Sequence, residues 1–207
     1  MIIGICGGSG SGKTTLLHRI SEAYAYLEPS IFSMDNYYRP IEEQLIDENG
    51  KINFDLPGAL DERQLVDDLY RLIEGEEIQV SEYHFNAPPD RNNVITINPS
   101  KMIIVEGLFL FHFEAVRAVI DFSIFISVHP KTQLERRINR DTSTRGYAVE
   151  DIMYQWEHHV LPCYTNYLLP YLTNADFNYR NDDHAEHDFK LLIEAIDKRL
   201  ETVKIES

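Results

Sequence analysis

Near the start of the chain, Gly7-Gly8-Ser9-Gly10-Ser11-Gly12-Lys13-Thr14 satisfies the pattern G-x-x-x-x-G-K-[ST]. Such a loop is suited to phosphate: its glycines let successive backbone N–H groups turn inward around an anion, and a helix starting at the lysine adds its positive end. Lys13 is placed to reach the outer phosphates and Thr14 to offer a hydroxyl to Mg²⁺, so Gly7 through Thr15 are expected to hold ATP. The loop defines a nucleotide site without saying what becomes of the nucleotide, because switches, motors and small-molecule kinases share it.

Other residues bear on that choice. Asp35 follows the apolar run Ser30-Ile31-Phe32-Ser33-Met34, and Glu106 follows Met102-Ile103-Ile104-Val105. In an open parallel sheet, ligands collect at the carboxyl ends of strands, so both carboxylates are expected to face the crevice of the phosphate loop. There Asp35 can accept the proton of an attacking substrate hydroxyl, and Glu106 can hold a metal-bound water near Thr14. Arg136, Arg137 and Arg140 stand at helical spacing and are expected to converge on one edge, where a lid over about 131–147 would bring them to a phosphoryl group in transfer. The plainer alternatives are a turn acid at Asp35, a capping acid at Glu106 and surface ion pairs for the arginines. Asp55-Leu56-Pro57-Gly58 has the D-x-x-G spacing of a GTPase switch, but Lys51 to Phe54 make a poor buried strand and no N-K-x-D occurs in the chain.

The elements that must position these groups alternate between β-branched apolar runs and amphipathic helical stretches, the pattern of βαβ units and a parallel sheet. Strands are expected at Met1 to Cys6, Ser30 to Met34, Met102 to Val105, Phe122 to Val128 and Asp176 to Tyr179. Helices are expected at Lys13 to Tyr26, Leu60 to Glu74, Glu114 to Val119, Pro130 to about Arg140, from about Val149 through Val160, and His184 to Val203. Asn36 to Ala59 and Asn86 to Asn93 show no sustained period and fall within a substrate-side insertion over about 36–98. The expected fold is a single α/β domain over 1–207: a doubly wound parallel sheet of the P-loop NTPase type, with helices on both faces and an arginine-bearing lid.

The chain has 207 residues, enough for one sizeable core. With 19 Lys plus Arg against 34 Asp plus Glu, its formal charge of -15 repels polyanions, so nucleic acid is not expected as a partner. Cys6 and Cys163 offer neither a metal knuckle nor a disulfide framework, which fits a reducing, cytoplasmic setting. No segment is apolar enough over sufficient length to cross a bilayer, and no membrane partner is expected. The histidine pairs His158-His159 and His184-x-x-His187 are assigned no metal. Tyr37, Tyr38 and Tyr83 lie in the insertion, where aromatic rings can stack on a planar base or pack in the core or loop.

Several blocks together resemble the uridine kinase (uridine-cytidine kinase) family of P-loop kinases. They are the loop Gly7 to Thr14, Asp35-Asn36-Tyr37-Tyr38-Arg39, Asn53 through Asp61, Tyr83-His84-Phe85, Val105-Glu106-Gly107, and Arg136 through Asp141 with Arg145-Gly146. The resemblance implies transfer of the ATP γ-phosphate to a nucleoside 5′-hydroxyl, with uridine or cytidine as the default acceptor. It also implies Asp35 as catalytic base, Asp55 on the ribose hydroxyls, Tyr83 and Phe85 in the base pocket, and Arg137 and Gln155 on the substrate. Arg140 would reach the phosphates, Glu106 would support magnesium, and the family is commonly tetrameric. Two positions depart from the family pattern. No histidine follows Tyr83-His84-Phe85 in Asn86 to Arg91, and Tyr147 stands where a second arginine after Arg145-Gly146 is usual. The alternatives are a P-loop kinase acting on another riboside or a sugar phosphate, as in related phosphoribulokinases, and a nucleotide-responsive binding protein.

Overall fold

The computed structural model describes residues 1–85 and 93–206, with side chains to residue 202. Five strands form an all-parallel sheet in the order β2-β5-β1-β6-β7: β1 Ile2–Gly7, β2 Ser30–Ser33, β5 Ile103–Gly107, β6 Phe122–Ser127 and β7 Phe177–Arg180. The central strand β1 pairs on both sides, Gly4 lying opposite Val105 in one neighbour and Ser123 in the other. It is apolar throughout because both of its faces are covered. Ile3 and Ile5 pack with Leu16, Leu17 and Ile20 of α1 (Lys13–Ala23) and with Leu192 and Ile196 of α7 (Ala185–Glu206). Ile2 and Cys6 pack in the opposite layer with Leu65, Leu69 and Leu72 of α2 (Glu62–Ile73) and Val116 of α3 (Glu114–Arg117).

This is the expected doubly wound arrangement. From β1 the chain crosses to β2 on one side, and from β5 it crosses to β6 on the other, so a crevice opens at the carboxyl ends of β1 and β5. The phosphate loop and Glu106 sit there.

Several boundaries differ from the sequence expectation for local reasons. β2 stops at Ser33, and Met34–Tyr37 forms a 3₁₀ turn in which Asp35 N–H donates to Ser33 Oγ at 3.3 Å, so Asp35 lies in a turn beyond the strand end. Helix α1 ends three residues early in a second 3₁₀ turn, Ala25–Leu27. Helix α4 (Pro130–Thr144) runs four residues past Arg140: the hydroxyls of Thr142, Ser143 and Thr144 donate to carbonyls four residues back, and Gly146 follows at φ 69°. Helix α5 (Val149–Gln155) passes into π-helical turns at Trp156–Val160 and Tyr164–Leu168 on either side of α6 (Leu161–Cys163). Pro162, which has no N–H to give, lies between those turns.

A short antiparallel pair, β3 (Ile78–Ser81) with β4 (Val94–Ile97), was not expected. Three of the four β4 residues are exposed, so β4 stands largely outside the core. The segment between β2 and α2 has 3₁₀ turns and two isolated bridges, Tyr38 with Leu60 and Ile46 with Ile52. Most of the irregular stretch expected at Asn86 to Asn93 lies outside the described residues.

Candidate active site

The phosphate loop leaves β1 at Gly7 and enters α1 at Lys13. Gly10 and Gly12 take positive φ values of 79° and 96°, which L side chains rarely adopt. A Cβ at Gly10 would lie 2.7 Å from the backbone oxygen of Gln133, so α4 rests against the loop with no room for a methyl group. Gln133 Nε2 donates to Ser9 O at 2.7 Å, and Asn181 Nδ2 donates to Ser11 O at 2.6 Å. Lys13 folds back to donate to the carbonyls of Gly7 (3.0 Å) and Gly8 (3.3 Å). Ser11 Oγ is buried without a partner among the described residues. Thr14 and Thr15 are exposed at the start of the helix, clear of the core side chains.

Glu106 is buried beside the loop and accepts a 2.6 Å hydrogen bond from Ser33 Oγ. Burial, and then the charge of Asp35, push its carboxyl up to about 7; Lys13 and the Ser33 hydroxyl pull the other way. The two carboxylates that the sequence assigned to strand ends therefore do lie together. A lysine, an unpartnered hydroxyl and an acid held near neutrality form a donor set that suits phosphate and a divalent cation.

The three arginines do not all converge. Arg137 Nη1 donates to Ser9 Oγ at 2.8 Å, and Arg140 Nη2 reaches the same oxygen at 3.3 Å. Arg136 is exposed and donates to Asn181 O at 3.2 Å, because α4 is rotated so that its Arg137–Arg140 edge meets Ser9. Arg145 joins the first two instead. Asp141, fully buried, meets Arg137 Nε at 3.4 Å, Arg140 Nε at 2.7 Å and Arg145 Nη1 at 3.3 Å. One carboxylate thus sets three guanidinium groups toward the crevice.

Opposite the loop lies the acceptor side of the cleft. Ser9, Lys13, Asp35, Arg137 and Arg140 line it at one end, and Tyr38, Phe54, Asp55, Phe85, Tyr147 and Gln155 at the other. Arg137 bridges the two, its Nη2 donating to Gln155 Oε1 at 2.7 Å. Asp55 is buried, and its carboxyl is pushed up by burial against the opposing pull of Arg137, His159 and Arg140. The rings of Tyr38, Phe54, Tyr83 and Phe85 pack edge to face or tilted, Tyr38 to Phe85 and Tyr83 to Phe85 both at 5.0 Å, and the Arg145 guanidinium lies 4.0 Å from the Phe85 ring centre. Burial, then Asp35 and Asp55, push the Tyr38 phenol well above its ordinary value.

Most residues singled out from sequence gather here, but two do so indirectly. Tyr83 buttresses Tyr38 and Phe85 from behind, and Glu106 lies beneath Asp35 without lining the acceptor side. Sequence reasoning missed Phe54, Asp141 and His159 as site residues. Phe54 could have been found by its place between Asn53 and Asp55; Asp141 gave a signal only as the acid at i+4 from Arg137. His159 gave none beyond its neighbour His158.

An all-parallel, doubly wound sheet with a glycine-lysine phosphate loop, facing carboxylates and arginines delivered by the following helix defines a P-loop kinase. Such enzymes use ATP as phosphate donor. The profile of the Phosphoribulokinase / Uridine kinase family matches residues 2–194, and the chain belongs to that family. It is 37% identical over 188 residues to the uridine kinase of Borrelia duttonii, covering 89% of this chain and 88% of that one. It is 32% identical over 208 residues to the uridine kinase of Lactobacillus johnsonii, covering 99% and 97%. Among solved structures, a putative fructose transport system kinase from Silicibacter sp. TM1040 superposes with a TM-score of 0.66 at 18% identity, covering 86% of this chain and 89% of that one, a likeness of fold.

Proposed function

We propose that this enzyme transfers the γ-phosphoryl group of ATP to the 5′-hydroxyl of a pyrimidine nucleoside, uridine or cytidine. The observation that supports this most is the sharing of one cleft by Asp35, Asp55 and the Tyr38–Phe54–Phe85 ring cluster with Lys13, Arg137 and Arg140. Those groups match a sugar, a planar base and a transferring phosphoryl in turn.

Asp35 accepts the proton of the 5′-hydroxyl as its oxygen bonds to the γ-phosphorus, and the bond from that phosphorus to the bridging oxygen of ADP breaks. Lys13 exchanges the carbonyls of Gly7 and Gly8 for phosphate oxygens. Arg137 and Arg140, already directed at Ser9, turn to the equatorial oxygens, where charge spreads in the transition state. Thr14 and Glu106 would hold magnesium, which neutralises phosphate charge when bound. Asp55 accepts from ribose hydroxyls, and the aromatic rings of Tyr38, Tyr83 and Phe85 receive the base. A cytoplasmic location fits this chemistry, and no described helix is long and apolar enough to cross a membrane.

Measuring ADP release with a panel of nucleosides, other ribosides and sugar phosphates tests the acceptor. Uridine or cytidine is expected to give the highest kcat/KM; turnover with sugar phosphates and none with pyrimidine nucleosides would replace the substrate. Asp35→Asn is expected to lower kcat about 10²–10⁴-fold with nucleotide binding retained. An Asp35→Asn enzyme at full rate would remove the assigned base.

A further inference from the structure

One group in the acceptor wall is left without a role by the reading above. His159 lies on the π-helical turn Trp156–Val160, is 3% exposed and lines the cleft with Asp55 and Gln155. Its Nε2 is 2.7 Å from Asp47 Oδ2. That oxygen also accepts from Tyr154 Oη at 2.8 Å, and Asp47 Oδ1 accepts from the backbone N–H groups of Asn49 (2.9 Å) and Lys51 (2.8 Å). A carboxylate ringed by donors is ionised and has no hydrogen to give, so His159 Nε2 must be the donor. In the neutral ring the lone pair is then on Nδ1.

His159 Nδ1 is buried and has no hydrogen-bond partner among the described residues. An unmet buried acceptor is unfavourable by about 1–3 kcal/mol, a cost removed if the partner arrives with a ligand. Asp55, also an acceptor when ionised, lines the same cleft. Two acceptors in one cleft suit the donor hydroxyls of a sugar ring.

We propose that His159 is a specificity-determining residue whose Nδ1 accepts a hydrogen bond from one sugar hydroxyl while Asp55 accepts from another, so that a change at His159 alters discrimination at that one hydroxyl. Asp47 acts as a positioning residue that fixes the imidazole tautomer. The assignment rests on the nucleoside kinase reading.

The test compares kcat/KM for uridine, 2′-deoxyuridine and 3′-deoxyuridine in the wild-type enzyme, His159→Gln and His159→Asn. Glutamine keeps an amide donor for Asp47 and loses the acceptor at the Nδ1 position; asparagine places an amide oxygen where Nδ1 was. Loss of the hydrogen bond is expected to lower uridine kcat/KM in His159→Gln about 5–150-fold, with little change for the deoxynucleoside that lacks the partner hydroxyl. His159→Asn should recover part of the selectivity, and KM for ATP should stay constant throughout. Selectivity is a ratio measured within one preparation, so a partly folded variant does not distort it. Equal losses on all three substrates, or an unchanged ratio in His159→Gln, would overturn the assignment and leave the nucleoside reading intact. A wild-type enzyme inactive on every riboside would remove both.

Discussion

Around the phosphate loop, the groups placed to hold a ligand are mostly backbone N–H groups with Lys13 and Thr14, delivered by a single strand–turn–helix unit, and α4 adds Arg137 and Arg140. On the acceptor side they are side chains from between Tyr38 and Phe85 of the insertion, from α4, from α5 and from the π-helical turn beyond it. A site built from backbone is specified by where glycine must stand, and its neighbours can change little. A site built from side chains can change its ligand one residue at a time while the scaffold stays fixed. Asp141 joins the two parts, since the arginines it orients reach both Ser9 and the Phe85 ring.

The comparison predicts opposite kinetic signatures for a change in each part, the phosphate side being the more severe. Gly10→Ala puts a side chain at φ 79° and a methyl 2.7 Å from the backbone oxygen of Gln133. Strain of about 1–3 kcal/mol at such a position, together with the displacement of α4, is expected to lower kcat/KM for ATP about 10–100-fold while nucleoside KM changes little. Steady-state kinetics with each substrate varied in turn would check this. If both KM values rose together, the two parts would not be separable.

Phe85→Ala should do the reverse. It removes a ring packed on Tyr38, Phe54, Tyr83 and the Arg145 guanidinium, and the stacking surface it offers a base is worth about 1–3 kcal/mol. Nucleoside KM is expected to rise about 10-fold with ATP KM unchanged, measured in the same assay.

How much of this was legible in sequence follows the same division. The loop, the two carboxylates and the five sheet strands could be read because glycine spacing and doubly buried apolar runs are local signals. Asp35 is expected directly at the strand end and lies in the 3₁₀ turn after it, since nothing local shows that Ser33 ends β2 by capping that turn. The divergence of Arg136 from Arg137 and Arg140 depends on how α4 is rotated against Ser9 and Asn181, a tertiary fact. The partnership of Asp47 with His159 joins residues 112 apart, and no helical or strand period reports a contact at that separation.

Glu106 qualifies the comparison, because it is a side chain in the backbone-built part, and its effect should be the smallest of those argued. Its folded pKa of about 7 lies above the 4.5 of an unperturbed glutamate. A raised value means that the folded state holds the proton more tightly. The resulting stability is fully present below about 4.5 and lost as pH rises through 7. The shift bounds the effect at roughly 3 kcal/mol, and coupling to Asp35 and Lys13 makes a smaller value the expected one. For a chain of this size, each kcal/mol moves Tm by about 2–4 °C. Glu106→Gln still offers an oxygen to Ser33 Oγ but does not titrate. In metal-free buffer, the wild-type Tm should therefore fall between pH 4.5 and 8 by a few degrees more than that of the variant. Parallel melting curves would mean that the Glu106 carboxyl is ionised across the whole range. The phosphate loop would then hold a buried Glu106 carboxylate before any cation arrives, with Lys13 as the countercharge that offsets its burial.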